Sequence, residues 1–174
     1  MLFEEPSNII IKGFQSVRRD WAAVAKNVQM RMFYDIMLKN DIKAAVSDVK
    51  EAINEIKQGK MRLEDAVIIT RLRKDIGSYQ QTGRHVSAAK SSGAEFTSGD
   101  TIRYIISKGR PGQSISEKAV MFDIAKNNNI HYDPDYYIEK QVIPSVLPTL
   151  SMFGFTKDDL IGKKNNSLSD FMQT

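Results

Sequence analysis

The chain has no cysteine and only two histidines among its 174 residues. Without cysteine it forms no disulfide, which is typical of proteins in a reducing cytoplasm. Zinc fingers and ribbons need clusters of cysteine and histidine, so that class of metal site is excluded. No apolar run reaches the roughly 18 residues that a transmembrane helix needs, and the first residues lack a secretory pattern. We therefore expect a cytoplasmic protein that has no membrane partner.

Catalytic motifs are also missing from the sequence. There is no glycine-rich phosphate loop with its lysine, no nucleophile elbow and no cluster of metal-binding carboxylates. The adjacent acidic residues Asp158 and Asp159 would point in different directions on a helix, so they would not share a metal ion. We therefore expect no catalytic site, no metal site and no cofactor in this chain.

Basic residues slightly outnumber acidic residues. There are 25 Lys and Arg against 21 Asp and Glu, which gives a net charge of +4 and a pI near 9.2. This balance permits a polyanionic partner without requiring one. Several basic residues form groups near the predicted ends of helices and strands: Arg18 with Arg19; Arg71 and Arg73 with Lys74; Arg84 with His85; and Lys108 with Arg110.

The first half of the chain predicts two helices. Apolar residues at helical spacing indicate one helix that ends near Leu38 and a second from Ile42 to Ile56. Between them, Asn40 suits a left-handed stop and Asp41 suits an N-cap. A link this short predicts an antiparallel helical hairpin.

Short strands and a short helix follow the hairpin. Runs of β-branched and alternating apolar residues predict strands at 67–69 and 101–107, in addition to a first strand at 9–11. Residues 84–92 are typical of a short helix closed by Gly93. The predicted fold class is therefore α+β and mainly α-helical, with a small β-sheet inserted in the second half.

A longer helix is predicted to start at Asp133, an N-cap followed by proline. It should carry Phe153 inward and stop at Gly154, and Pro144 and Pro148 predict either a kink within it or two shorter helices. The apolar residues that follow favour core packing over base stacking for three nearby aromatics: Tyr132, Tyr136 and Tyr137.

The basic groups favour contact with a polyanion. Arginine guanidiniums match phosphate oxygens in geometry, and Arg84 with His85 would start a helix, whose N-terminal N–H groups attract phosphate. None of the groups forms a recognition-helix pattern, so binding should be independent of sequence and sensitive to salt. Ordinary surface charge is the alternative interpretation, and the residues by themselves leave both open.

The polar C-terminal residues contain three apolar side chains, Leu168, Phe171 and Met172. One turn of helix would bring these three onto one face, as anchors for a groove on a partner. The alternatives are a tail that folds back on its own domain and a tail that is frayed.

Several segments, in the same order, resemble the thumb domain of archaeal-type family B DNA polymerases. They are Lys12-Gly13-Phe14 with Val17-Arg18-Arg19-Asp20-Trp21; Ile69-Thr70-Arg71 with Tyr79, His85-Val86 and Ala89-Lys90; Gly99-Asp100-Thr101-Ile102 with Tyr104-Ile105-Ile106 and Lys108-Gly109; and Asp133 with Tyr136-Tyr137-Ile138-Glu139 and Gln141-Val142-Ile143-Pro144. The tail is similar to the clamp-binding peptide of these polymerases. Arg84 departs from the family's usual proline, and Asn165 from its usual glutamine.

This resemblance implies a linker from the palm at 1–11, a helical thumb domain at 12–161 and a flexible tail at 162–174. The thumb would hold primer–template DNA by its phosphates, and the tail would bind a PCNA-type sliding clamp. The implied DNA-binding residues are Arg18, Arg19, Arg71, Arg73, Lys74, Arg84, His85, Lys90 and Lys108, and the implied clamp-binding residues are Asn165, Leu168, Phe171 and Met172.

The family's paired catalytic aspartates lie in the palm, upstream of the segments that match. The resemblance therefore implies a larger partner chain that carries palm and exonuclease, with Mg²⁺ in its palm, and a nucleoid-associated place in the cytoplasm. The Met1 start suggests the small subunit of a split polymerase or an excised domain. Two other functions stay open: a stand-alone, non-specific nucleic-acid-binding protein and a helical scaffold that does not bind DNA.

Overall fold

The computed structural model of the chain describes residues 21–162. Within them the fold is mainly α-helical and contains a three-stranded antiparallel sheet, so the predicted fold class is confirmed. The predicted strand at 9–11, Arg18 and Arg19 lie outside the described residues, as does the predicted clamp-binding peptide in the tail.

The predicted hairpin consists of α1 (Ala23–Met37) and α2 (Ile42–Lys57). The link follows the local sequence signals, because Asn40 adopts a φ of 51° and the Asp41 side chain accepts a hydrogen bond from the Ala44 N–H at 2.9 Å. The facing stripes of the two helices are buried: Val24, Val28 and Met32 on α1, and Val46, Val49, Ile53 and Ile56 on α2. The stripes predicted from helical spacing therefore form part of the core.

A second helical layer is built by three consecutive segments that form a continuous rod. These are α5 (Pro134–Tyr137), a π turn (Ile138–Val142) and α6 (Ile143–Leu150). The Asp133 side chain caps the start by accepting from the Tyr136 N–H at 3.1 Å. Pro144 has no N–H and would crowd the carbonyl four residues earlier, a clash that the wider π turn relieves. The proline-induced irregularity that was predicted for this helix is thus a π turn at Ile138–Val142.

The end of the rod differs from the prediction at one residue. A 3₁₀ turn (Ser151–Phe153) follows α6, and it takes Phe153 off the apolar stripe. The Phe153 side chain is 44% exposed, so the expectation that it points inward was wrong. Gly154 ends the segment at a φ of 87°, and α7 (Lys157–Ile161) then begins with a capping box between Thr156 and Asp159.

The sheet contains β1 (Ile68–Arg71), β2 (Thr101–Ile106) and β3 (Ala119–Met121) in the order β1-β2-β3. Arg71 lies opposite Thr101, and Tyr104 lies opposite Ile68 on one side and Met121 on the other. Two further helices accompany the sheet: α3 (Arg84–Ser91) and α4 (Phe122–Asn127). The sequence patterns did not predict β3 or α4. The strand has three residues and the helix has six, and segments this short show little periodicity.

Tyrosine hydroxyls join the helical rod to the sheet and to the hairpin. The Tyr137 hydroxyl accepts from the Ile106 N–H at 3.0 Å and donates to the Ala66 carbonyl at 2.7 Å. The Tyr132 hydroxyl donates to the carbonyl of Ile56 on α2 at 3.1 Å. The core packing predicted for Tyr132, Tyr136 and Tyr137 is confirmed, because all three are buried. Within residues 21–162, none of the helices has the length and apolar character that a bilayer crossing demands.

Candidate nucleic-acid interface

The side chain of Arg71 is fixed at the end of β1 by the neighbouring turn. Its Nε donates to the carbonyl of Gly99 at 2.8 Å. Gly99 has a φ of +96°, which favours glycine, and a Cβ at this position would lie 3.4 Å from the Arg71 guanidinium. The Leu72 N–H donates to the Asp100 carbonyl at 2.8 Å, which extends the pairing of the strands by one residue. Arg71 is therefore held at an exposed edge.

Arg73 and Lys74 lie in the loop after β1, and Tyr79 holds the backbone of both. The N–H of Arg73 donates to the Tyr79 hydroxyl at 2.9 Å, and the N–H of Lys74 donates to it at 3.3 Å. The Tyr79 ring lies edge-on to the imidazole of His85, with 5.9 Å between ring centres. The loop thus packs against the first turn of α3. We call Arg71, Arg73, Lys74, Arg84 and His85 the basic end.

Acidic side chains in these loops stabilise turns and form no ion pair with a cation of the basic end. Asp75 Oδ1 accepts from the Ser98 N–H at 2.8 Å, and Asp100 Oδ2 accepts from the Thr97 N–H at 2.7 Å. Within residues 21–162, no carboxylate forms an ion pair with Arg71, Arg73 or Lys74. These exposed cations can therefore meet an external anion without first breaking an internal pair.

Arg84 anchors the start of α3 to the rod. Its guanidinium donates to the Tyr136 hydroxyl and lies 5.9 Å from the centre of that ring. The same hydroxyl accepts from Gln141 Nε2 at 3.1 Å, and Gln141 Oε1 accepts from the Ala22 N–H at 2.9 Å. A chain of hydrogen bonds therefore runs from α3 to the start of α1. The sequence patterns did not predict this role for Tyr136 or Gln141, because each side chain contacts residues that are far away in the sequence.

Two of the predicted contact residues lie away from this group. Lys90 is exposed in the last turn of α3, about 9 Å along the helix from Arg84. Lys108 follows β2 by two residues, and at roughly 3.3 Å per residue it lies about 23 Å from Thr101, the residue opposite Arg71. The structure thus brings together Arg71, Arg73, Lys74 and His85, attaches Arg84 beside them, and places Lys108 at the other end of the sheet.

The surroundings of His85 favour its neutral form, in which one ring nitrogen can donate a hydrogen bond to a phosphate. Its partial burial, followed by the adjacent positive charge of Arg84, lowers the pKa of His85 below its ordinary value. Because the folded pKa lies below the unfolded one, the neutral form stabilises the fold, and this contribution is lost as the pH falls through the folded pKa. Acidification therefore adds a charge to the basic end.

This charge gives a pH-dependent prediction. Log affinity changes by about 0.9 per phosphate contact for each decade of salt, so one added contact should strengthen duplex DNA binding by up to about 8-fold at 0.1 M salt. We expect such a rise as the pH falls below about 6.5, the ordinary pKa of histidine, for the unaltered chain and not for His85→Gln. Fluorescence anisotropy measures it, with circular dichroism to verify folding.

His131 supplies the matched control, because it is the other histidine of the chain and is exposed. His131→Gln should keep the full rise in affinity on acidification. An equal rise in the His85→Gln variant would show that His85 does not face the bound DNA.

Comparisons with known proteins show the family to which the chain belongs. The family model described as DNA polymerase family B matches residues 2–153. The DNA polymerase of Thermococcus aggregans is 35% identical over 162 residues, which cover 91% of this chain and 9% of that protein. The DNA polymerase of Desulfurococcus sp. (strain Tok) is 36% identical over 162 residues, which cover 91% of this chain and 21% of that protein. The chain thus spans a small part of the length of these relatives.

A solved structure gives the same result at the level of the fold. The chain is similar to the family B DNA polymerase from the hyperthermophilic archaeon Pyrobaculum calidifontis, with a TM-score of 0.67 and 31% identity. The match covers 79% of this chain and 19% of that one. With the family model matched over residues 2–153, the chain belongs to DNA polymerase family B.

Proposed function

We propose that this chain is the thumb portion of a DNA-directed DNA polymerase and that it holds primer–template duplex through the phosphate backbone. One observation carries the proposal. Arg71, Arg73 and Lys74 lie exposed on segments fixed by Gly99 and Tyr79, and none of these cations forms an ion pair with a described carboxylate. Cations arranged in this way bind phosphates of any sequence.

The elements that carry these cations favour backbone contact over base reading. Arg71 ends a strand, and Arg73 and Lys74 lie in a loop. Base reading in the major groove uses a helix or a two-stranded ribbon whose side chains face the base edges. Contacts with phosphates fix the register of a duplex without carrying sequence information. A polymerase needs this property, because it must hold every sequence that it has just copied.

The larger context of this function is part of the proposal. We infer a partner chain or adjoining segment that carries palm and exonuclease, since this chain spans 9% and 21% of the two relatives above. Mg²⁺ would belong to that palm. Residues 21–162 contain no group of three acidic or histidine side chains arranged to hold a metal ion. The role that we assign to this chain is to bind and orient the duplex.

We further propose that the tail binds a PCNA-type sliding clamp through Leu168, Phe171 and Met172, with Asn165 ahead of them. The support is the sequence pattern, in which large apolar side chains interrupt a polar stretch at positions that share one face of a helical turn. Such a tether raises the local concentration of the polymerase at DNA. The expected place in the cell, the cytoplasmic nucleoid, follows from the proposed partners.

Two alternative functions predict different affinities for DNA and different partners. A helical scaffold accounts for the hairpin but predicts negligible affinity for DNA. A stand-alone nucleic-acid-binding protein accounts for the basic end but needs no larger chain. The match of DNA polymerase family B to residues 2–153 favours the polymerase part over both.

A double substitution, Arg73→Ala with Lys74→Ala, tests whether the basic end binds the phosphates of duplex DNA. Each lost phosphate contact lowers the salt slope of log affinity by about 0.9, so the pair should lower it by about 1.8 and weaken binding about 60-fold at 0.1 M salt. The factor should be the same for duplexes of unrelated sequence. The fold should be unaffected, because Tyr79 contacts the backbone N–H groups of these residues and alanine keeps them. Anisotropy titrations at several salt concentrations measure both quantities.

The matched control is Lys43→Ala with Lys50→Ala, which removes the same charge from the exposed side of α2. This variant should bind DNA as the unaltered chain does. If both double variants lose affinity equally, net charge alone drives binding, and the proposal that DNA binds at the basic end is wrong. If neither double variant loses affinity for DNA, the result supports the helical scaffold that does not bind DNA.

A further inference from the structure

One face of the sheet carries four exposed side chains and forms a continuous patch. In the β1–β2 register Ile69 lies opposite Arg103, and Arg71 lies opposite Thr101. Alternation along each strand places these residues on one face, while Ile68, Ile102 and Tyr104 lie buried on the other. We call Ile69, Arg71, Thr101 and Arg103 the sheet patch. All four are exposed, and Ile69 reaches 49%.

Arg103 contacts an aromatic ring. The centre of its guanidinium lies 4.9 Å from the ring centre of Phe122, the buried first residue of α4. A cation–π contact of this kind is electrostatic and does not pair the guanidinium with a hydrogen-bond acceptor. In the part of the chain that the structure describes, Arg103 forms no ion pair with a carboxylate. Its N–H groups are therefore open to a ligand.

Charge on the sheet patch has one sign. Two arginines share the patch, and no acidic residue belongs to it. The nearest acidic residue in the sequence is Asp100, whose carboxylate is engaged by the N–H of Thr97 at 2.7 Å. A face with two exposed guanidiniums and no carboxylate is complementary to an anion that offers more than one negative group.

The positions of the two arginines in the sheet suit an anion with several negative groups. Diagonal neighbours on paired strands lie roughly 7–8 Å apart, and Arg71 and Arg103 are such neighbours because Arg71 is opposite Thr101. A DNA strand carries one phosphate for about every 3.4 Å of helix axis, so it can offer a separate phosphate to each arginine. Between the phosphates, a strand presents the apolar face of its sugars, which suits Ile69, and Thr101 adds a hydroxyl donor.

We propose that the sheet patch binds the sugar–phosphate backbone of one strand of duplex DNA, with Arg71 and Arg103 on different phosphates. The inference rests on the proposed function, since Arg71 belongs both to the basic end and to the sheet patch. It extends the contact surface from the loops onto the face of the sheet. It also adds Arg103, which stands alone among apolar residues in the sequence, to the DNA-binding residues.

The test compares Arg103→Ala and Arg103→Lys by anisotropy with one mixed-sequence duplex at several salt concentrations. Arg103→Ala should bind about 8-fold more weakly at 0.1 M salt and lower the salt slope by about 0.9. Arg103→Lys keeps the charge and should keep most of the slope. Lys126→Ala is the matched control, because Lys126 lies 5.7 Å from the centre of the same Phe122 ring but is paired with Glu64 at 3.0 Å. That variant should leave affinity and slope unchanged.

The outcomes separate this inference from the proposed function. Arg103→Ala could keep the full salt slope of log affinity while the Arg73 and Lys74 double variant loses part of it. In that case the sheet patch does not bind DNA, and the proposed function of the basic end is retained. If neither variant changes binding, both ideas fail. A lower melting temperature for Arg103→Ala with an unchanged slope would show that Arg103 only packs on Phe122, which also overturns the inference. A loss seen with single-stranded DNA and not with duplex would overturn the assignment to duplex.

Discussion

Replacing Tyr137 by phenylalanine is expected to lower the free energy of unfolding by about 2–6 kcal/mol. The hydroxyl that is removed satisfies two buried backbone groups, the N–H of Ile106 and the carbonyl of Ala66. Each buried group left without a partner costs about 1–3 kcal/mol. Burial raises the pKa of Tyr137, so the phenol stays protonated and keeps donating to Ala66 throughout the physiological pH range. Phenylalanine fills the same space, so lost hydrogen bonds account for the change.

The same hydroxyl matters for function because it joins layers that carry different parts of the interface. Ile106 is tied to the rod twice: its N–H donates to Tyr137, and its carbonyl accepts from the Asp133 N–H at 2.9 Å. Loss of the first contact loosens β2 against the rod, and β2 carries Arg103 and pairs with the strand that ends at Arg71. We therefore expect Tyr137→Phe to retain DNA binding at low temperature and to lose it at a lower temperature than the unaltered chain.

Urea unfolding followed by circular dichroism measures the change, and Tyr34→Phe is the matched control. The Tyr34 ring lies 4.9 Å from Lys39 Nζ in a cation–π contact, which phenylalanine preserves. Its side chain is half-buried, and among the described residues its hydroxyl has no hydrogen-bond partner. The control should change the free energy of unfolding by less than about 0.5 kcal/mol. Equal effects of the two substitutions would show that the Tyr137 hydroxyl does not join the layers.

The parts of the fold that could be predicted are those set by neighbours in the sequence. Asn40 and Asp41 ended one helix and started the next as expected, because a left-handed residue and an N-cap act within one turn. The start of the rod at Asp133 followed from the same kind of signal. Phe153 was misplaced because helical spacing continues through it, whereas the chain changes there to a 3₁₀ turn.

The arrangement of the candidate site depended on pairing that the sequence does not reveal. Arg71, Arg73 and Lys74 are adjacent in the chain, so their grouping was predictable. The distance of Lys108 from them follows from the register of β1 on β2, and so does the position of Arg103 beside Arg71. Alternation along 101–107 indicates that Arg103 points away from Ile102 and Tyr104, but only the register shows that it gains a basic neighbour.

Removing residues 163–174 is expected to abolish binding to a PCNA-type clamp while leaving the melting temperature and the affinity for DNA unchanged. Buried apolar anchors at an interface contribute about 2 kcal/mol or more each, so losing Leu168, Phe171 and Met172 should weaken clamp binding well over 100-fold. The DNA contacts that we propose lie within 18–108 and do not involve the tail. Surface plasmon resonance on immobilised clamp, with differential scanning fluorimetry of the same samples, measures both effects.

Point substitutions separate the anchors from the tail as a whole. Phe171→Ala with Met172→Ala should reproduce most of the loss, whereas Ser167→Ala with Ser169→Ala, which leaves the three apolar residues in place, should bind the clamp normally. Asn165→Gln restores the residue usual in the family's clamp-binding peptide and should bind at least as tightly. A lower melting temperature for the truncated chain would mean that the apolar residues pack on their own domain. Clamp binding that survives the Phe171 and Met172 substitutions would place the tether elsewhere in the chain.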